Sequence, residues 1–285
     1  MSKEYQGLVL AAGREKGKCM LEIIKFIDFS SITHYAGASV GSIICFLLSI
    51  GYSPDEIQDI AKDISIFSGG EDLSQSFNNM LNKFGFSDID KFFSVLEEPI
   101  KKKFGFIPTL KEHFEKTGKY ICISTVNIDR KRQTYLDHMT FPNLSCLQAV
   151  KMSSRIPFIM SRCQYLGMDY IDGGFGDPFP IKKIDDGKRK IFGLIVNGSI
   201  RKSGVEFMDH YSSVVEAILG MPTKRSCENL GDNCHIITKN IDDGLIISKE
   251  EANMFIEEGK NILKLIEKNN GDIISVKQIL SKTKY

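Results

Sequence analysis

Two kinds of hydrophobic pattern alternate along the chain. Some short runs are apolar at nearly every position, as in GLVLAA (Gly7 to Ala12), YICISTVN (Tyr120 to Asn127) and RKIFGLIVNG (Arg189 to Gly198). Runs of this kind suit strands buried on both faces. Between them, apolar residues recur at three- and four-residue spacing, as in CMLEIIKFI (Cys19 to Ile27) and NLSCLQAVKMSS (Asn143 to Ser154). That spacing lines one face of a helix. SSITHYAGA, RQTYLDH, DYIDGG and CHIITKN read as further strands, and DHYSSVVEAILG and EEANMFIEEGKNILKLIEK as further helices. Helix starts are well marked. Ser53 precedes Pro54, Asp55 and Glu56, Thr109 and Glu112 form a capping box closed by Gly118, and Ser248 with Glu251 caps the last helix. From about 66 to 108 the pattern is mixed, with aromatic-rich helical pieces (FNNMLNKFGF, DKFFSVLEEPI) broken by Gly-Gly and Gly-Phe. The alternation of strand and helix predicts an α/β sandwich with a largely parallel sheet, in one domain.

Composition narrows the setting. The chain has 285 residues and a formal net charge of +1, so no strong global field draws it to nucleic acid or to an anionic membrane. MSKEYQG carries charges and no apolar core, which predicts no signal peptide. The longest apolar run, IICFLLSI (Ile43 to Ile50), falls well short of the roughly 18 residues of a membrane span. The seven cysteines have irregular spacing and include no CxxC pair. They predict buried thiols in a reducing, cytoplasmic setting rather than disulfides or a zinc ribbon.

The chemistry begins at THYAGASVGSIIC, where a short strand turns directly into an apolar helix through Gly37, Ser39 and Gly41. GxSxG between strand and helix is the pattern of a nucleophile elbow. Small residues two before and two after the serine let strand and helix pass closely, and the helix N-terminus favours developing negative charge. A plainer reading is a glycine-rich turn with Ser39 as N-cap. A base must also be found. The chain order Ser39, Asp172, then His210 or His235 fits an α/β-hydrolase formally, but only one strand precedes the serine. His210 at a helix start and His235 in a strand read better as capping and core residues than as catalytic ones. Asp172, in YIDGGFGDPFP, ends a strand before Gly173 and Gly174; taken alone it is also an ordinary Asp-Gly turn.

Taken in order, AAGREKG after the first strand, GASVG, SSRIPFIM and DGGFGDPFP resemble the patatin-like phospholipases. The resemblance implies a three-layer α/β/α sandwich over residues 7–185, with a helical insertion at about 66–108 and residues 186–285 completing the same domain. It implies hydrolysis of lipid acyl esters by a Ser-Asp dyad, with Ser39 as nucleophile, Asp172 as general base and neither metal nor cofactor. Met152 to Pro157 stand where the family has Ala-Ser-x-x-x-Pro. An aspartate near its usual pKa of about 3.9 is a weak base for a serine hydroxyl, and burial beside an acyl cleft would strengthen it. The family's oxyanion loop, Gly-Gly-Gly-x-basic-Gly, corresponds to Ala12-Gly13-Arg14-Glu15-Lys16-Gly17. Gly13, Lys16 and Gly17 match, while Ala12 and Arg14 replace glycines. Arg14 stands where a substrate headgroup would approach, either as a phosphate contact or as an obstruction.

The implied substrate is a phospholipid or another lipid ester, cleaved as by a phospholipase A or a lipase. A protein activator and peripheral membrane contact fit the same reading. The phenylalanine-rich stretch ending in Lys101-Lys102-Lys103 is either such a contact or an amphipathic helix with solvated lysines. The other basic groups, Arg130-Lys131-Arg132 and Lys188-Arg189-Lys190, adjoin aspartates and read as solvated loops. The alternative function is a catalytically lapsed patatin fold that binds lipid or protein, for which the altered glycine loop would be the mark.

Overall fold

The computed structural model describes residues 5–13, 17–25, 27–62, 85–87, 90–198, 210, 213–214, 217–218 and 223–241. The first strand, β1 (Gly7–Leu10), is buried at every position. Its residues alternate between two cores: Leu8 and Leu10 join one hydrophobic cluster, Val9 and Ala11 the other. A strand with both faces covered needs apolar residues throughout, which is why GLVLAA carries no polar alternation.

From β1 the chain forms α1 (Gly17–Ile24), β2 (His34–Ala38), α2 (Val40–Ser49) and α3 (Pro54–Lys62). The next described elements are β3 (Gly85–Ser87), α4 (Asp90–Val95), α5 (Glu97–Phe104) and α6 (Leu110–Thr117). Then come β4 (Tyr120–Asn127), β5 (Arg132–Leu136), α7 (Cys146–Ser153), β6 (Phe158–Met160), β7 (Cys163–Tyr165) and β8 (Met168–Asp172). Two further strands, β9 (Ile191–Gly198) and β10 (Cys234–Ile241), follow. The main sheet has eight strands. β10, β9, β1, β2 and β4 are parallel neighbours in that order, and β5, β7 and β8 add antiparallel pairings beyond them. The sheet is thus largely parallel at its centre, as the buried apolar strands predict.

The larger core lies on the face covered by helices, where Met20, Phe46, Leu47, Phe93, Leu96 and Val150 meet the sheet. On the other face, Phe179, Ile181 and Ile184 pack with the partly buried Cys227 and Leu230. Among the described residues, this layer includes the 3-10 turn Ile181–Lys183 and the helical turn at 223–226. Two of the predicted caps are present, and the third, Ser248 with Glu251, lies outside the described residues. Ser53 and Glu56 exchange backbone N–H bonds at the start of α3, Thr109 and Glu112 do the same for α6, and Gly118 ends α6 at φ 65°.

One expectation changes. The stretch predicted as a helical insertion contains a strand: β3 pairs in parallel with β6 in a separate two-stranded sheet. Gly85 interrupts the FNNMLNKFGF pattern there, and the backbone hydrogen bonds are met by β6 instead of by a helical turn. The remainder of FNNMLNKF, the final helix at 250–268 and most of DHYSSVVEAILG lie outside the described residues.

Candidate active site

Ser39 lies between β2 and α2 with φ 52° and ψ −131°, and its side chain makes no capping hydrogen bond. A non-glycine residue in this region is strained by about 1–3 kcal/mol, so the turn is held by its surroundings. Gly37 and Gly41 explain how. A Cβ on Gly37 would come within 2.7 Å of the Gly41 carbonyl carbon, and one on Gly41 would strike the carbonyl oxygens of Leu10 and Ala11. The elbow therefore needs glycine at both positions, because α2 starts directly against β2 and the end of β1.

The register of β4 locates the aspartate. β2 pairs with residues 120–124 of β4, ending at Ala38 opposite Ser124. β5 occupies the other edge from Ile123 to Asn127. β8 pairs with residues 125–127, beginning with Asp172 opposite Thr125. Since β5 fills one edge throughout, β2 and β8 share the other, end to end and pointing toward each other. Ala38 and Asp172 thus face consecutive residues of β4, about 3.3 Å apart along the strand. Ser39, leaving the end of β2, and Asp172, ending β8, meet where the shared edge changes hands.

The last residue of α7 and the segment after it brace both. The Ser39 backbone N–H donates to Ser153 Oγ at 2.8 Å, and the Ser153 hydroxyl donates to the Ser124 carbonyl at 2.6 Å. Two residues on, the Arg155 carbonyl accepts from the Asp172 backbone N–H at 2.9 Å. Asp172 Oδ1 accepts from the Gly174 N–H at 2.7 Å, and a Cβ on Gly173 would overlap the Ser124 carbonyl. Thr125 adds a hydroxyl bond to the Ile171 carbonyl at 2.9 Å. Ser39 is 5% exposed and Asp172 3%. The family's Ala-Ser-x-x-x-Pro pattern over Met152 to Pro157 carries no sign of the bond from Ser39 to Ser153. Its only trace is the pair Ser124-Thr125, polar residues at the end of an otherwise apolar strand.

The histidines lie elsewhere. His34 opens β2, four residues before Ala38 and so about 13 Å along the strand. His235 sits near the start of β10, three strands from β2, and its Nδ1 is bonded to the Tyr5 hydroxyl at 3.1 Å. His113 meets Ser49 at the far end of α2, and His138 stacks on Phe114 with ring centroids 3.8 Å apart. His210 is exposed.

Of the predicted oxyanion loop, Gly13 is buried and Gly17 opens α1, where a Cβ would stand 2.7 Å from Val40 Cγ2. Gly17 thus lies beside Val40, the first residue of α2, next to Ser39. Arg14 and Lys16 lie outside the described residues. Among the described residues, no three His, Cys, Asp or Glu side chains gather as a metal site would require.

Residues 8–184 match the family described as patatin-like phospholipase. The chain belongs to the patatin-like phospholipase family. Within it, the chain is 36% identical over 183 residues to "Probable lipid hydrolase 463L" of Invertebrate iridescent virus 6, covering 63% of each chain. It is 32% identical over 197 residues to "Uncharacterized protein R571" of Acanthamoeba polyphaga mimivirus, covering 67% of this chain and 65% of the relative. This patatin-like chain therefore spans less than two thirds of either relative's length. Its fold is similar to that of VipD from Legionella pneumophila, with a TM-score of 0.55 at 15% identity over 93% of this chain and 67% of VipD.

Proposed function

We propose that the protein is a lipid acyl hydrolase of the phospholipase A or lipase type, acting through Ser39 and Asp172. One observation carries the reading: the strained Ser39 turn and the end of β8 at Asp172 meet on a single edge of β4. In open α/β sheets ligands bind outside the carboxyl ends of the parallel strands, and this junction lies at that end.

The chemistry follows from two groups. Asp172 takes the proton of the Ser39 hydroxyl as Oγ attacks the ester carbonyl, forming a tetrahedral oxyanion. Collapse expels the alcohol, which receives the proton from Asp172 and leaves an acyl ester on Ser39. Water, deprotonated by Asp172, then attacks that ester, and Asp172 returns the proton to Ser39 Oγ as the fatty acid is released. Backbone N–H groups at the start of α2 and in the 12–17 loop are the candidate donors to the oxyanion, each such donor being worth about 10²–10³ in rate. The bond from Ser39 N–H to Ser153 uses that amide, so it does not serve as a donor while the bond stands.

The test is covalent labelling by a fluorophosphonate, read as intact mass, with and without phospholipid vesicles. The wild type should gain one adduct, Ser39→Ala none, and Asp172→Asn little. Turnover of phospholipid should fall in parallel. A folded wild type that takes no label under either condition overturns the reading and returns the lapsed, lipid- or protein-binding alternative.

A further inference from the structure

Two hairpin tips project past the candidate site at the carboxyl end of β4. The first joins β7 to β8. Tyr165 pairs with Met168, so Leu166 and Gly167 alone make the turn, with φ 50° and 74°. Positive φ at both positions defines the type I′ hairpin turn, whose preferred sequence is Asn-Gly. Here the first position holds a leucine that is 76% exposed. Neither turn chemistry nor burial calls for leucine at this point. The second tip joins β4 to β5 and carries Ile128, 43% exposed, followed by exposed Arg130, Lys131 and Arg132.

The two tips are stitched together. The Ile128 N–H donates to the Asp169 carbonyl at 3.1 Å, and Asp129 Oδ2 accepts from the Asp169 N–H at 2.5 Å. Asp169 in turn holds Arg162 through a two-bond ion pair. Both local carboxylates are therefore engaged, while the side chains of Arg130, Lys131 and Arg132 make no ion pair among the described residues. The surface formed is an exposed leucine and isoleucine beside three cations that outnumber the neighbouring Asp129 carboxylate. β8 runs from this surface to Asp172 in five residues, Met168 to Asp172.

We infer that the paired tips are a docking surface for an anionic phospholipid bilayer. The cations match the phosphate and carboxylate charge of such a surface, and Leu166 and Ile128 enter the acyl boundary between headgroups. Docked this way, the carboxyl end of the sheet faces the lipid. The inference rests on the hydrolase reading for its use, but binding is measured without catalysis.

The experiment is flotation of the purified chain with phosphatidylcholine vesicles, with and without phosphatidylserine. The variants are Leu166→Asn, the triple variant Arg130→Gln/Lys131→Gln/Arg132→Gln, and Ser39→Ala. The wild type should float with phosphatidylserine vesicles and be released by high salt. The triple variant should bind about a hundredfold more weakly, from about fivefold per cation. Leu166→Asn should bind about tenfold more weakly, and since Asn is at home at positive φ its thermal midpoint should not fall. Ser39→Ala should bind like the wild type. Failure of the wild type to float, or wild-type binding by both folded surface variants, overturns the inference. Retained labelling in Ser39→Ala overturns the hydrolase reading alone.

Discussion

The helix α2 has a buried serine at each end, and the two differ in the property that matters for chemistry. Ser49, at its carboxyl end, lies 2.8 Å from His113 Nε2, a pairing that invites a catalytic reading. Its hydroxyl, however, donates to the Phe46 carbonyl at 2.6 Å. With its one proton so used, Ser49 Oγ accepts from Nε2–H, and the bare nitrogen of His113 is Nδ1, which is buried and without a partner. His113 therefore holds no lone pair toward Ser49 and is no base for it. Ser39, at the amino end, has no histidine beside it and no capping bond, yet its backbone is forced to φ 52° and it faces the end of β8. Proximity to histidine is thus a poor guide here; enforced backbone strain and sheet register are better ones.

The contrast breaks most completely if the strained end cannot form. Gly41→Ala places a methyl against the Leu10 and Ala11 carbonyl oxygens, neither of which belongs to a flexible side chain. Overpacking against backbone should cost about 4 kcal/mol or prevent folding. Denaturant unfolding checks this; a near-neutral Gly41→Ala would show that α2 is not locked against β1.

The elbow was legible in the sequence because its determinants are local. Gly37, Ser39 and Gly41 lie within five residues, and the steric reason for the spacing holds in any strand-to-helix turn. The central strands were legible because continuous burial leaves an unbroken apolar run. Asp172 could be placed only through resemblance, since its approach to Ser39 depends on β2 and β8 dividing one edge of β4, a relation between residues far apart in the chain. Ser153 escaped as an anchor for the same reason: Ser39 and Ser153 are 114 positions apart. The pairing of β3 with β6 is also long-range, and local aromatic periodicity favoured helix there.

The Ser49 end sharpens the comparison through pH. Burial, followed by the charges of Lys119 and His138, depresses the His113 pKa from 6.5 to about 4. The unfolded chain then takes up a proton at this histidine below about pH 6.5, and the folded chain does not until about pH 4. Stability from this group is complete above the upper value and falls as pH drops between the two, by about 3 kcal/mol at 1.36 kcal/mol per unit. His113→Gln keeps a donor for Ser49 and removes the titration, so its stability should slope less steeply over that window. Identical slopes would show that His113 is hydrated in the folded state.

Ser153 probes the strained end more gently than Gly41. Ser153→Ala leaves the Ser39 N–H and the Ser124 carbonyl without their shared partner, which should cost about 2 kcal/mol in a buried site. Ser154, its neighbour, is a matched control, because its buried hydroxyl makes no hydrogen bond. Ser154→Ala should be nearly neutral in both stability and labelling rate. The Ser153 variant should also label about tenfold more slowly with fluorophosphonate, since a loosened turn misplaces Ser39 Oγ. Equal labelling rates in the two variants would mean that the glycines alone fix the elbow.

The most discriminating variant is one expected to leave activity unchanged. Ser49→Ala removes the hydroxyl's bonds to the Phe46 carbonyl and to His113 Nε2, which should cost about 2 kcal/mol, at the end of α2 that is capped by the Ile50 and Gly51 backbone. It should keep full fluorophosphonate labelling and full lipid hydrolysis, although it destroys the one Ser-His contact seen among the described residues. Ser39→Ala should lose both with little change in stability, because it leaves the turn's glycines and its bond to Ser153 in place. If Ser49→Ala also lost activity, His113 would have to reach the substrate by a different tautomer and a different path. The assignment of chemistry to the amino end of α2 would then fail.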